Sequence, residues 1–455
     1  GAVQQSVSIS GTSGGNFEAV TTAGTVSNSV TDNGTVTNVT LSSATNGQAV
    51  AEGGSITYTV STDHAVTGSP LVVTLSNGRE VSIPVGASSG SVTVDVRSDD
   101  AYSQGAVQQS VSISGTSGGN FEAVTTTGTV SNSVTDNGTV TNVTLSSVTN
   151  GQAVTEGGSI TYTVSTDHAV TGSPLVVTLS NGSQVSIPVG ASSGSVTVGV
   201  RSDDAYSQGP VQQNVSISGT SGGNFEAVTT TGTVSNSVTD NGTVTNVTLS
   251  SATNGQAVTE GGSITYTVST DHAVTGSPLV VTLSNGSQVS IPVGASSGSV
   301  TVGVRSDDAY SQGPVQQNVS ISGTSGGNFE AVTTAGTVSN SVTDNGTVTN
   351  VTLSSATNGQ AVAEGGSITY TVSTDHAVSG SPLVVTLSNG REVSIPVGAS
   401  NGSVTVDVRS DDAYSQGAVQ QSVSISGTSG GNFEAVTTAG TVSNSVTDNG
   451  TVTNV

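Results

Sequence analysis

The stretch from Arg97 to Gly105, R-S-D-D-A-Y-S-Q-G, recurs unchanged at Arg201, Arg305 and Arg409. Its adjacent carboxylates, Asp99 and Asp100, are the densest negative charge in each copy. Paired acids in a loop either bind a hard cation or stay solvated, unless a nucleophile and a base accompany them. No nucleophile–base–acid arrangement is visible, His64 has no evident catalytic partner, and Gly-Thr-Ser-Gly-Gly at Gly115 lacks the Lys of a phosphate-binding loop. An enzyme is not expected.

The charge balance points the same way. Thirty Asp and Glu face six Arg, with no Lys, for a net charge of -24. Such a chain lacks the cations that neutralise the phosphates of nucleic acid or anionic lipid, and it attracts cations instead. Cys is absent, which removes disulfides, thiolate metal sites and redox switches. No apolar run approaches the length of a membrane-spanning helix, so no membrane insertion is expected. Neither a signal peptide nor a transit segment is recognised at Gly1.

Repetition identifies the elements that must position these acids. G-A-V-Q-Q begins at Gly1 and again at Gly105, with related starts at Gly209, Gly313 and Gly417, a period of 104 residues. A unit of this length is a domain in its own right and exceeds a solenoid repeat. The turn signal Asp32-Asn33-Gly34 recurs at Asp136, Asp240, Asp344 and Asp448. Cutting there gives complete units at 35–138, 139–242, 243–346 and 347–450. Residues 1–34 then end a preceding repeat, and 451–455 begin a following one.

One unit reads as seven strands: A from Thr35 to Ser43, B from Ser55 to Ser61, C from Pro70 to Ser76, D from Arg79 to Val85, E from Ser91 to Arg97, F from Val107 to Ser114, and G from Phe121 to about Thr135, broken near Gly128. Asn77-Gly78 between C and D is a strong hairpin signal. The expected fold is all-β: tandem immunoglobulin-like β-sandwich domains in an extended rod, without the Cys–Trp–Cys signature of antibody domains. Arg79, Glu80 and Asp95 become Ser183, Gln184 and Gly199 in the second unit and return as Arg391, Glu392 and Asp407 in the fourth. Joint loss fits either a cross-strand Arg79–Asp95 ion pair in a D–E hairpin or drift between duplicated units.

In an antiparallel sandwich the A–B and E–F loops and the exit of G fall at the C-terminal pole. Glu52, Asp99, Asp100, Asp136 and Asn137 therefore gather where the next repeat begins. Asp167, in that repeat's B–C loop, arrives from the other side, and Asn224 and Glu226 after its F–G loop are further candidates. The same positions recur as Glu156, Asp203, Asp204, Asp240 and Asp271, as Glu260, Asp307, Asp308, Asp344 and Asp375, and as Glu364, Asp411, Asp412 and Asp448. Acids converging without one Lys repel unless neutralised. Calcium suits them because it takes roughly 6–8 hard oxygen ligands in flexible geometry, whereas magnesium prefers tight octahedra and transition metals favour His or Cys. The competing reading is a set of solvated acids that keeps the repeats soluble. A second cluster, Asp63, His64, Asn120 and Glu122, lies at the opposite pole, where Asn120 and Glu122 serve equally well as loop caps.

At these motifs the chain resembles the extender repeats of large RTX (repeats-in-toxin) adhesins of Gram-negative bacteria. The matching stretches are E-G-G-S-I-T-Y-T-V at Glu52, V-T-L-S-N-G at Val73, G-A-S-S-G-S-V-T-V at Gly86, D-D-A-Y at Asp99 and G-G-N-F-E at Gly118. The long near-identical repeats look most like those of its ice-binding members, and biofilm adhesins share the motifs. The resemblance implies type I secretion to the bacterial cell surface, folding outside the cell, and calcium-rigidified tandem domains with Glu52, Asp99 and Asp100 among the ligands. The glycine-rich nonapeptides of the family title are not found in this stretch, nor is a recognisable ligand-binding domain.

The expected function is a monomeric calcium-bound spacer that projects an adhesive domain, with neighbouring repeats and calcium ions as its partners. Strands of about nine residues at ~3.3 Å each, plus loops, give roughly 40 Å per repeat and on the order of 160 Å for four. The alternative makes the repeats themselves the binding surface for a glycan or ice, through Thr-rich strands such as T-V-T-N-V-T at Thr35, although Thr is an ordinary solvent-facing strand residue.

Overall fold

The computed structural model describes residues 1–452, so most of the expected repeat start at 451–455 lies outside the described residues. Two compact units form: residues 1–202 with 210–239, and residues 203–209 with 240 onward. The first begins with an exposed hairpin of β1 (Val3–Ser8) and β2 (Thr25–Val30). Its register, Val3↔Val30, is that of Val107↔Val134 one period later.

The next 104 residues hold nine strands: β3 (Val36–Ser42), β4 (Ala49–Ala51), β5 (Ser55–Thr62), β6 (Leu71–Leu75), β7 (Glu80–Ile83), β8 (Ser89–Asp95), β9 (Val107–Gly118), β10 (Ala123–Thr127) and β11 (Thr129–Thr135). They form a four-stranded sheet, β10-β3-β5-β8, and a five-stranded sheet, β4-β11-β9-β6-β7. Residues two apart on a strand share a face, so Ile56, Tyr58 and Val60 of β5 point together into the core. There they meet Leu71, Val73 and Leu75 of β6 and Val81 and Ile83 of β7. The result is an immunoglobulin-like β-sandwich, and the same pattern of strands recurs in each later repeat.

One strand, β4, is added to the expected set, and strand G is divided at the break expected near Gly128. Residues after the A strand turn back as the three-residue β4, which pairs with β11. Strand G breaks at Gly128, whose φ is +96° and where an added Cβ would lie 2.2 Å from the Leu41 carbonyl oxygen. A side chain is excluded there, and the chain steps between sheets: β10 pairs with β3 and β11 with β9. Asn132 of β11 is buried, and its amide donates to the carbonyls of Thr45 and Gln48 (3.2 Å to the latter), fastening the A–B loop.

The expected D–E hairpin is not formed. β7 and β8 are edge strands of opposite sheets, so their connection crosses the sandwich. Arg79 and Asp95 flank one cleft, and among the described residues no ion pair joins them.

Candidate metal centre

At the C-terminal pole of the first repeat, the loop after β4 closes on the loop after β8. Glu52 N donates to Thr135 O (2.9 Å) and Gly53 N to Arg97 O (2.9 Å). Gly53 has φ +71°, and a Cβ there would crowd Asp99 Cβ at 3.1 Å, so glycine permits the approach. The turn drives the Glu52 side chain inward, to 3 % exposure. Arg97 meets it, donating from Nε to Glu52 Oε2 (2.6 Å), from Nη1 to Gly105 O (3.0 Å), and from Nη2 to Asp136 Oδ1. Asp136 also accepts from Ser103 Oγ (3.2 Å) and the Gln104 amide (3.2 Å). Burial raises the Asp136 pKa, but these donors and Arg97 outweigh it and leave the carboxyl below its ordinary value.

The two aspartates of the loop face different ways. Asp100 Oδ1 accepts from Tyr102 N (2.7 Å) and its other oxygen from the Gln104 amide side chain. Asp99 accepts from Asn137 Nδ2 (2.7 Å) and Thr139 Oγ1 (3.1 Å), tying the loop to the start of the second repeat.

The second repeat contributes the segment Asn224–Glu226, before its strand Ala227–Thr231. Ser103 N donates to Asn224 O (3.0 Å), Asn224 Nδ2 to Ser103 O (3.0 Å), and Glu226 N to Ala101 O (3.1 Å). Tyr102 stacks on Phe225 with ring centroids 5.9 Å apart, and its hydroxyl donates to Ala169 O (2.9 Å). Glu226 Oε2 accepts from Gly138 N and Thr139 N, both at 2.7 Å. Its Oε1 and that of Glu52 are buried and receive no N–H or O–H from the surrounding groups. Oxygens of Glu52, Asp100 and Glu226 lie within 4.8 Å of one another.

These carboxyls perturb each other. Glu226 is pushed up by its contact with Glu52 and by burial. Glu52 is held down by the same contact and, against its own burial, by Arg97. Two carboxylates cannot share a buried site without a proton or a cation between them.

The second unit contains the same arrangement. Oxygens of Glu260, Asp308 and Glu434 lie within 4.8 Å of one another. Arg305 donates to Glu260 (2.8 Å) and to Asp344, Asp307 accepts from Asn345 (2.8 Å), and Tyr310 stacks on Phe433 at 5.8 Å. In the same unit Asp203 accepts from Asn241 (2.8 Å), Asp204 from Tyr206 N (2.7 Å), and Asp240 from Ser207 Oγ (3.3 Å). In the first unit Glu156 accepts from Arg201 (2.8 Å). In the fourth repeat Arg409 holds Glu364 (3.0 Å) and Asp448, Asp411 accepts from Asn449 (2.8 Å), and Asp412 from Tyr414 N (2.8 Å).

Of the sequence candidates, Glu52 and Asp100 converge, with Asp99 beside them, while Asp136 and Asn137 serve as supports. Asp167 does not join them. It accepts from Asn142 N (2.9 Å) and Nδ2 (2.7 Å), as Asp271 does from Asn246 and Asp375 from Asn350. Glu226 fills the place expected for Asp167. The Asp63 cluster also disperses: Asp63 is taken by Asn38 (2.8 Å) and His64 (2.9 Å), and Glu122 by Thr35 N (2.6 Å). Arg97 is the functional residue that the spacing of acids alone left out. Its invariant place two residues before the Asp pair was the available signal.

The donor set fits calcium. Ligand oxygens at about 2.3–2.6 Å from one ion lie within roughly 5 Å of each other, as the three carboxylates do. One guanidinium stands against five acids, Glu52, Asp99, Asp100, Asp136 and Glu226, so the corner retains negative charge for a divalent ion. The ligand set is all oxygen, without Cys or His.

Comparison with solved structures finds the ICAM-5 D1–D4 ectodomain fragment, 12% identical, over 85% of this chain and 94% of its own, at a TM-score of 0.24. A protein of unknown function from Porphyromonas gingivalis W83, 10% identical, covers 44% of this chain and 99% of its own at 0.13. These scores carry no argument about function. No curated protein matches the sequence. The family model of the LapA domain matches residues 35–137, 139–241, 243–345 and 347–449. The chain belongs to the LapA domain family, as four tandem, non-enzymatic repeats of the large bacterial adhesin type.

Proposed function

We propose that the chain is a calcium-rigidified extender of a bacterial cell-surface adhesin, exported by type I secretion and carrying a distal binding domain away from the cell. The observation that supports it is the pair of buried, unpartnered oxygens on Glu52 and Glu226, one from each of two successive repeats. A cation held by Glu52, Asp100 and Glu226 neutralises acids from both repeats and ties them together. Glu260, Asp308 and Glu434 do the same in the second unit. Extracellular calcium modules bind at about 10⁻⁴–10⁻³ M, so the joints stay loose in a low-calcium cytosol and stiffen outside. Titration calorimetry of the full chain is expected to show calcium binding in that range, and chelation to shorten its maximum dimension in small-angle scattering. Absence of calcium heat, with identical scattering in chelator, would sink the proposal in favour of solvated acids.

A further inference from the structure

Each repeat has a second feature that the joint does not use. A cleft of about 380 Å³ opens in the first repeat where β5, β8, β9 and the β6–β7 turn approach one another. Tyr58 lies at its floor, 2 % exposed. Gln109 lines it from the same face of β9 as the core residue Val111. Among the described residues, no group hydrogen-bonds the Tyr58 hydroxyl or the Gln109 side-chain amide. Both groups are left free to meet a molecule in the cleft, and the same pairing stands in every repeat. Tyr162 with Gln213, Tyr266 with Gln317, and Tyr370 with Gln421 line clefts of about 230, 440 and 340 Å³. Most of these fall within the range of small-molecule sites, about 300–1,000 Å³.

We propose that these clefts bind a neutral saccharide, one sugar unit per repeat, through the paired Tyr hydroxyl and Gln amide. Both groups donate and accept, as sugar hydroxyls do, and Asn77 adds a second amide at the rim. Burial raises the Tyr58 pKa, which keeps the phenol protonated at neutral pH. Val94 and Val111 supply an apolar strip for ring C–H groups. The chain's net charge of -24 disfavours anions. Gly199 and Gly303 stand at the clefts of the second and third repeats where Asp95 stands in the first, so a carboxylate for a cation is missing there.

The test is saturation-transfer NMR on the calcium-loaded full chain with the methyl glycosides of glucose, galactose and mannose. Transfer to at least one glycoside is expected. The fourfold variant Tyr58→Phe, Tyr162→Phe, Tyr266→Phe, Tyr370→Phe keeps the rings and removes only the hydroxyls. It is expected to raise Kd about twofold to tenfold, the equivalent of one hydrogen bond each. If that variant loses its fold, Gln109→Leu with the equivalent changes at Gln213, Gln317 and Gln421 reads the same effect. Clefts that hold water only would give no transfer to any glycoside, or transfer unaltered by the substitutions, and either result overturns the proposal.

Discussion

Arg305–Gly313 and Arg409–Gly417 have the same nine residues and much the same internal bonding, but among the described residues only the first is covered by the body of a following repeat. In both, Arg Nε reaches the buried Glu (2.8 and 3.0 Å), Nη1 reaches the closing Gly carbonyl (3.1 and 3.0 Å), and the second Asp caps the Tyr amide (2.7 and 2.8 Å). The difference is on the outside. Ala309 is buried and Tyr310 lies on Phe433, whereas Ala413 is exposed and Tyr414 is 77 % exposed. The corner is therefore assembled by its own repeat, and the next repeat adds an aromatic lid and one carboxylate. A cation bound as proposed would meet a preorganised half-site, and only Glu434 would have to arrive.

The largest test asks whether the half-site is intrinsic. Arg305→Leu and Arg409→Leu each leave a buried glutamate without its guanidinium, and each is expected to cost about 3–5 kcal/mol in urea unfolding. A cost confined to Arg305 would break the comparison, because it would make the corner depend on the next repeat. Calcium should then separate the two. For a dissociation constant of about 10⁻⁴–10⁻³ M, 10 mM calcium adds roughly 1.4–2.7 kcal/mol per joint. Asp308→Asn is expected to remove much of the increment at its joint and Asp412→Asn to leave the total unchanged, read as the calcium-dependent shift in melting. The smallest effect concerns the lid. Tyr310→Ala loses a stacking contact worth about 0.5–1.5 kcal/mol, while Tyr414→Ala stays within about 0.5 kcal/mol of the parent. Equal costs would mean that the stack contributes nothing.

Much of this arrangement was legible in the sequence. Alternating Ile56, Tyr58 and Val60 identify a core strand, and strand polarity alone carries Glu52, Asp99, Asp100 and Asp136 to one pole. Polarity fixes the pole but not the position around it, which is why Asp167 and Glu226 were both admissible partners and only contact with Gly138 and Thr139 distinguishes them. Arg97 escaped notice because its role depends on Glu52 turning inward, a consequence of the Gly53 turn that no spacing of acids encodes. The three-residue β4 lacks enough alternation to register as a strand. Gly128 did signal its break, since a Cβ has no room beneath the Leu41 carbonyl. Of the two readings of Arg79 and Asp95, the cross-strand ion pair fails because β7 and β8 belong to different sheets, which leaves drift between duplicated units.

The parallel pairing of first and last strands has a mechanical consequence. β3 lies beside β10 over five residue pairs, and β4 beside β11 over three, all running the same way. Tension applied where the chain enters at Val36 and leaves at Thr135 acts along these strands in opposite senses. It loads their hydrogen bonds in shear, so the bonds of each ladder must yield together instead of unzipping singly. Each repeat is thereby built to hold under pull.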